Sequence, residues 1–338
     1  MNNKSFQKLL YFLLHNDWKV VNSALEGQVK HFKKEGCNRL VEVLAESLPG
    51  STRSLESAVA ILSETEGRDK EALSDLIFSK DPVLQIRVPE KTGEIPIDAS
   101  IQLRQAAKQM IVAISHSIDS PQLEHPRLNA RQALKRFKNC REKPSKESSY
   151  IARFLLPEEL ELATMTKNAI ERTSDLARKD TVPTSSQHNE LARNGVSANF
   201  LDAFSLLKGR AQNIEIAFSS NDSLLLTSIN ENFISFAKNL SSSLRAKDSE
   251  AEVEANGIIT FLGWDDTDAV GSIKMRGNIT SQKNNIDFIV QTDNTNYYEI
   301  ARSAEYPTKK KIRLKGTYIP GTQPIRLANI SLFETSEN

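Results

Sequence analysis

Apolar positions fall at helical spacing through the first eighty residues. Phe6, Leu9, Leu10 and Leu13 share one face; Val20, Val21 and Leu25 begin a second set, and Leu40, Val43 and Leu44 a third. Pro49-Gly50 and Glu66-Gly67 interrupt the run, and Ser51 or Thr52 is a natural N-cap for the helix carrying Leu55, Val59 and Leu62. The pattern predicts a helical bundle over residues 1–80, closed by Asp81-Pro82.

The period then changes. Val83 to Val88 alternates as a strand does, and faces Glu94 to Ile97 across a turn at Thr92-Gly93. A long helix follows, with Leu103, Ala106, Ala107, Met110, Ile114 and Ile118 on its apolar side. Strand, turn, strand and helix recur as Asn213–Phe218, Asn221-Asp222, Leu224–Leu226 and a helix through Phe233, Phe236, Ala237 and Leu240. Between the copies lie a strand, Tyr150–Phe154, and a helix from Pro157 to Leu176. This order predicts an α+β domain over 81–248, with an internal duplication forming one mixed sheet. Lys179 to Asn189 is Ser/Thr-rich, contains Pro183, and is expected as an exposed loop.

From Gly257 to Phe333 three alternating strands, a short helix and two more strands succeed one another. Ile273, Met275 and Ile279 oppose Lys274 and Arg276; Ile286, Phe288 and Val290 repeat the pattern; Ile312 and Leu314 oppose Lys311, Arg313 and Lys315. Such alternation buries one face and leaves the other to water or a ligand. Tyr297, Ile300 and Ala301 give the intervening helix an apolar side fit to plug a barrel end, and Gly271, Gly277 and Gly316 mark bends or bulges.

In its order of elements this module, residues 251–338, resembles an OB fold, and its tail is similar in spacing to the ends of uncharacterised bacterial proteins. An SH3-like barrel fits the same alternation. The fold class that follows is multidomain α+β: a helical N-terminal bundle, a mixed α+β middle and a C-terminal OB-like small β-barrel. The resemblance is one of topology, without a diagnostic motif. It implies a ligand crossing the second and third strands, flanked by the loops after the first and fourth. The corresponding residues are Lys274 and Arg276, Trp264 in the first loop and Tyr318 in the later one; rings stack bases and cations follow phosphates. Asp265, Asp266 and Asp268 beside Trp264 oppose that reading, since they repel a phosphate backbone.

The formal net charge is only +1, so nucleic-acid binding requires a local patch. Arg127, Arg131, Lys135, Lys138 and Arg141 supply one, at spacings that align them along a single helical stripe with Arg136 and Lys143 alongside. The bland reading of the stripe is a solvated helix face. Two cysteines, Cys37 and Cys140, exclude a disulfide framework and suit a cytoplasmic protein. No apolar run reaches the roughly 18–20 residues of a membrane helix. The chain has no phosphate loop, Rossmann turn, nucleophile elbow or Cys/His metal spacing.

A non-enzymatic, cofactor-free accessory protein that binds DNA or RNA without sequence specificity is therefore expected. The other reading is a protein-interaction scaffold in a bacterial complex, anti-phage defence systems included, docking a partner such as an ATPase or nuclease subunit.

Overall fold

The computed structural model describes residues 4–45, 47–88, 95–125, 131–143, 150–209, 214–221, 223–246, 251–265, 270–280, 285–303, 311–319, 322 and 324–336. Helix α1 (Lys4–His15) is followed by strands β1 (Lys19–Ala24), β2 (Val29–Lys33) and β3 (Leu40–Leu44). Helices α2 (Ser51–Thr65) and α3 (Lys70–Phe78) then lead to β4 (Val83–Val88). Next come α4 (Ile97–Asp119), α5 (Arg131–Lys138), β5 (Arg141–Lys143), β6 (Tyr150–Leu155) and α6 (Leu160–Lys179). Helices α7 (His188–Arg193) and α8 (Ala198–Ser205) precede the hairpin β7 (Ile214–Ser220) and β8 (Ser223–Ile229), and α9 (Glu231–Arg245) follows it. The last part holds β9 (Ala251–Asp265), β10 (Val270–Ile279), β11 (Ile286–Asp293), α10 (Asn294–Ser303), β12 (Lys311–Ile319) and β13 (Ile325–Ser336).

The mixed α+β class expected from the sequence is what the structure shows. The chain divides into two units. The first joins residues 1–119, 127–171 and 206–231; the second joins 120–126, 172–205 and 232–338.

In the first unit, β1, β2 and β3 form an antiparallel meander, so the helical reading of 19–44 is corrected. Leu40, Val43 and Leu44 fit a helical face as well as a strand; what decides is that Val41 and Val43 are buried while Glu42 between them is exposed. Phe32, Val41 and Val43 pack with Phe6, Leu9, Phe12, Trp18, Leu55 and Leu62 into one core.

A five-stranded sheet of order β5-β6-β4-β7-β8 completes this unit. Every pairing in it is antiparallel rather than mixed. Strands from both suspected copies lie side by side in it, but the hairpin is complete only once. Residues 95–96 are not strand and Ile97 opens α4, whose turn is closed by Ser100 N–H donating to Pro96 O at 3.0 Å. Proline before the first turn starts a helix more readily than it continues a strand. The Thr92-Gly93 turn lies outside the described residues.

One face of this sheet meets α3 and the turn before it through buried polar and ionic groups. Arg68 donates twice to Glu215, at 2.6 and 2.5 Å, and sits 4.9 Å from the centre of the Phe12 ring. Arg153, only 1% exposed, reaches Asp75 at 3.2 Å. Gln85 donates to Ala72 O at 2.7 Å, and Ser219 to Leu76 O at 2.6 Å.

In the second unit β10-β11-β13-β12-β9 close a five-stranded barrel, with α10 between its third and fourth strands. The first and fifth strands do not pair; β11 and β13 run parallel and every other pair antiparallel, an arrangement consistent with the OB-like reading. The alternation holds: Ile273, Met275, Phe288, Val290, Ile312 and Leu314 fill the interior, and Tyr297 and Ile300 of α10 join them. Gly316 sits at a register shift of β12, as its expected bulge requires. Gly277 faces Gly257 across β10 and β9 so closely that a Cβ on Gly277 would lie 1.9 Å from Asn256 O. Gly277→Ala is accordingly expected to cost about 1–3 kcal/mol of barrel stability, read as a lowered urea midpoint at unchanged slope.

Candidate nucleic-acid interface

Two basic surfaces were expected, and the structure treats them differently. The first is built by α5 and β5. Helix α5 is a short amphipathic segment: Ala133 is buried, Leu134 and Phe137 are half-buried, and Lys108 of α4 lies 5.7 Å from the Phe137 ring centre. Arg136 anchors it. Its guanidinium donates to both oxygens of Asp119, at 3.0 and 2.9 Å, to Ser115 O at 3.1 Å and to Glu159 at 2.7 Å. Burial opposes the charge on Arg136, but the bonds to Glu159 and Asp119 outweigh it and push its pKa up. Just beyond the helix, burial and the nearby charge of Glu159 push the Cys140 thiol up to about 12.

Arg136 is thus a structural residue, and so is Lys143, whose ammonium meets Asp75 at 2.8 Å in a cleft of about 290 Å³ that Arg153 also lines. Strand β5 is held from both faces, since Glu142, one position earlier, accepts from Arg104 at 2.7 Å. What remains exposed is Arg131, Lys135 and Lys138 on α5 and Arg141 at the start of β5. The expected single stripe is therefore a helix of three cations continued by a strand residue, because α5 ends at Lys138. Arg127 lies outside the described residues. None of these four side chains has an ion-pair partner among the described residues. As cations in the last turn, Lys135 and Lys138 also favour the carbonyl end of the helix dipole, which is their purely structural use.

The second surface is the outside of the barrel. Register places Lys311 beside Ile258, Ile258 beside Arg276 and Arg276 beside Asp287, so β12, β9 and β10 present one continuous face. Lys274, Arg276, Lys311, Arg313 and Lys315 all stand on it, as their alternation predicts. Three of them are neutralised. Arg276 bonds Asp287 at 2.7 Å, Lys315 meets Glu252 at 2.8 Å, and Arg313 pairs with Glu254. Those contacts hold the Asp287 and Glu254 carboxyls below the usual range, Arg276 acting on the first and Arg313 on the second.

Trp264 lies on β9 opposite Gly271 rather than in a loop, and its side chain is outside the described residues, as are Asp266 and Asp268. Tyr318 is within β12, half-buried against the barrel core, and not in the later loop. Lys274 keeps a different companion, Phe261. This ring is 49% exposed, lies over Gly263, where a Cβ would come within 2.9 Å of it, and has the Lys274 ammonium 5.2 Å from its centre. Sequence reading missed Phe261, which stands directly opposite Lys274 on the preceding strand; an aromatic in the alternating run before the first loop was the available signal.

The remaining part of the expected ligand path is closed by the chain itself. Residues 180–184, read as an exposed loop, run against the outside of β11 and β13. Gln291 accepts from Val182 N–H at 2.8 Å and donates to Val182 O at 3.1 Å. Arg326, 2% exposed, donates to Asp180 Oδ1 at 2.7 Å and also to Asp180 O. Val182 and Pro183 are buried, which explains an apolar pair in an otherwise polar segment.

None of the known families, curated proteins or solved structures compared with this chain matches it. Function therefore has to be argued from the surfaces. Among the described residues no group of three or more His, Cys, Asp or Glu is placed to hold a metal ion. Asp119 is taken by Arg136, and Glu124 by Arg245 at 2.8 Å. No helix among those residues is long and apolar enough to cross a membrane.

Proposed function

We propose that this protein is a non-enzymatic accessory protein that binds nucleic acid with little sequence specificity, chiefly through Arg131, Lys135, Lys138 and Arg141. One observation carries the reading: these four exposed cations have no carboxylate partner among the described residues, whereas Arg276, Arg313 and Lys315 on the barrel each have one. A phosphate approaching α5 displaces only counterions; on the barrel it must first displace Asp287, Glu254 or Glu252. The barrel is read as an OB fold, the type that often holds single strands, with Phe261, Lys274 and Lys311 as its secondary contribution.

The test is fluorescence anisotropy with labelled single- and double-stranded DNA and RNA over a range of salt. Binding that weakens about 100-fold between 50 and 200 mM salt fits four released counterions on a duplex. No binding at low salt overturns the proposal. The second reading, a protein-interaction scaffold, is favoured by the exposed apolar residues Val20, Val21 and Leu25 on and beside β1. It expects partner binding that salt leaves unchanged.

A further inference from the structure

A groove of about 500 Å³ opens in the first unit, beside the helix that carries the exposed cations. One side of it is the start of α6, where Leu160, Ala163, Thr164, Lys167 and Asn168 recur at helical spacing and so share a face. The tip of the β7–β8 hairpin, at Ser220, Asn221 and Ser223, lines it too, with Lys80 and Pro82 ahead of β4. Asp222 lies outside the described residues. Glu159 joins the groove to α5: it belongs to the lining, and its Oε2 accepts from Arg136 Nε at 2.7 Å.

The lining discriminates between the parts of a nucleic acid. Among the described residues Glu158 and Glu159 offset Lys80 and Lys167, so a phosphate gains no net attraction there, while an uncharged base is not opposed. The side chains of Thr164, Asn168 and Asn221 make no hydrogen bond among the described residues, unlike Ser220 and Ser223, whose hydroxyls meet at 3.0 Å. An amide both donates and accepts, which matches the edge of an unpaired base, and the exposed Glu158 can accept from an exocyclic amino group. Leu160, 83% exposed, gives the lining an apolar surface for the plane of a base. In a duplex those planes are stacked and the pairing edges are taken.

We infer that this groove takes unpaired bases of a single strand whose phosphates lie along Arg131, Lys135, Lys138 and Arg141, a step that rests on the proposed binding through α5. Its volume falls within the roughly 300–1,000 Å³ of small-ligand sites, enough for a base and too little for a duplex. Amides and hydroxyls serve as donor or acceptor by turn, so the groove reads the presence of a base more than its identity. Phosphates stay outside on α5, where the cations have no carboxylate partner among the described residues.

Fluorescence anisotropy of the full chain tests this with two labelled DNA strands of equal length, one intact and one abasic throughout. Both carry the same phosphates, so both should show the salt dependence of α5. The intact strand should bind about tenfold more tightly, through base contacts that the abasic strand lacks. Thr164→Met/Asn168→Leu fills the groove and removes an amide without changing charge, and should abolish that tenfold advantage while leaving abasic binding unchanged. Circular dichroism and the melting temperature check that the variant is folded. Equal affinity of the wild type for the two strands overturns the groove assignment and leaves α5 as a phosphate-binding surface. An advantage that survives in the folded variant overturns it as well. Binding to neither strand removes the α5 reading, and the groove's role with it.

Discussion

Glu215→Ala is expected to destabilise the first unit by about 3–5 kcal/mol, because it strands the Arg68 guanidinium, 4% exposed, without its carboxylate. Urea unfolding followed by Trp18 fluorescence measures this in a Trp264→Phe background, which leaves the buried Trp18 as the sole indole. The double replacement Arg68→Met/Glu215→Leu should recover most of the loss, since an apolar pair needs no mutual neutralisation. A single variant within about 1 kcal/mol of wild type would show that water reaches Arg68.

The same pair sets an acid dependence. Burial pushes the Glu215 carboxyl up, but the Arg68 hydrogen bonds and charge, helped by Arg87 and His15, outweigh it and hold the group below its ordinary value. A carboxylate depressed on folding contributes stability that is present above its unfolded pKa, about 4.3, and lost as pH falls through its folded value. Urea midpoints of the wild type should therefore drop below about pH 4 more steeply than those of the apolar double variant.

Neutralising Arg131, Lys135, Lys138 and Arg141 together should flatten the salt dependence of duplex binding by about 3–4 in log–log slope, from roughly 0.9 per released counterion. Affinity should fall by a similar factor for every sequence tested, as expected of contacts to phosphate rather than to bases. Arg276→Ala, Arg313→Ala and Lys315→Ala form the matched control. Each loses an intramolecular ion pair as well as a cation, so their combined effect on the slope should be under half as large. An unchanged slope in the four-residue variant would remove α5 from the interface.

The barrel was legible in the sequence because its strands bury one face each, so period-two alternation survives from Ile273 to Leu314 and only their closure had to be inferred. The meander was not, since Val20, Val21 and Leu25 are exposed and carry no burial pattern to break the helical reading. The basic stripe was half-legible: spacing finds the cations, but not that Arg136 and Lys143 are committed to Asp119, Glu159 and Asp75. Long-range ion pairs leave no local trace; Arg68 and Glu215 are 147 residues apart. The available hints were single charges inside otherwise apolar strands, Arg153 in β6 and Glu215 in β7.

The strap over β11 and β13 bears on how the protein can be dissected. A fragment cut just before β9 would carry the whole barrel yet leave Arg326 and Gln291 without the peptide they hold, two side chains that the intact chain keeps 2% and 8% exposed. Such a fragment offers a bare guanidinium and a bare amide to any passing carboxylate or extended peptide, so its binding partners would be artefacts of the cut. A cut that begins ahead of Asp180 retains the peptide that Arg326 and Gln291 already hold, and is the smaller piece of this chain whose ligands are its own.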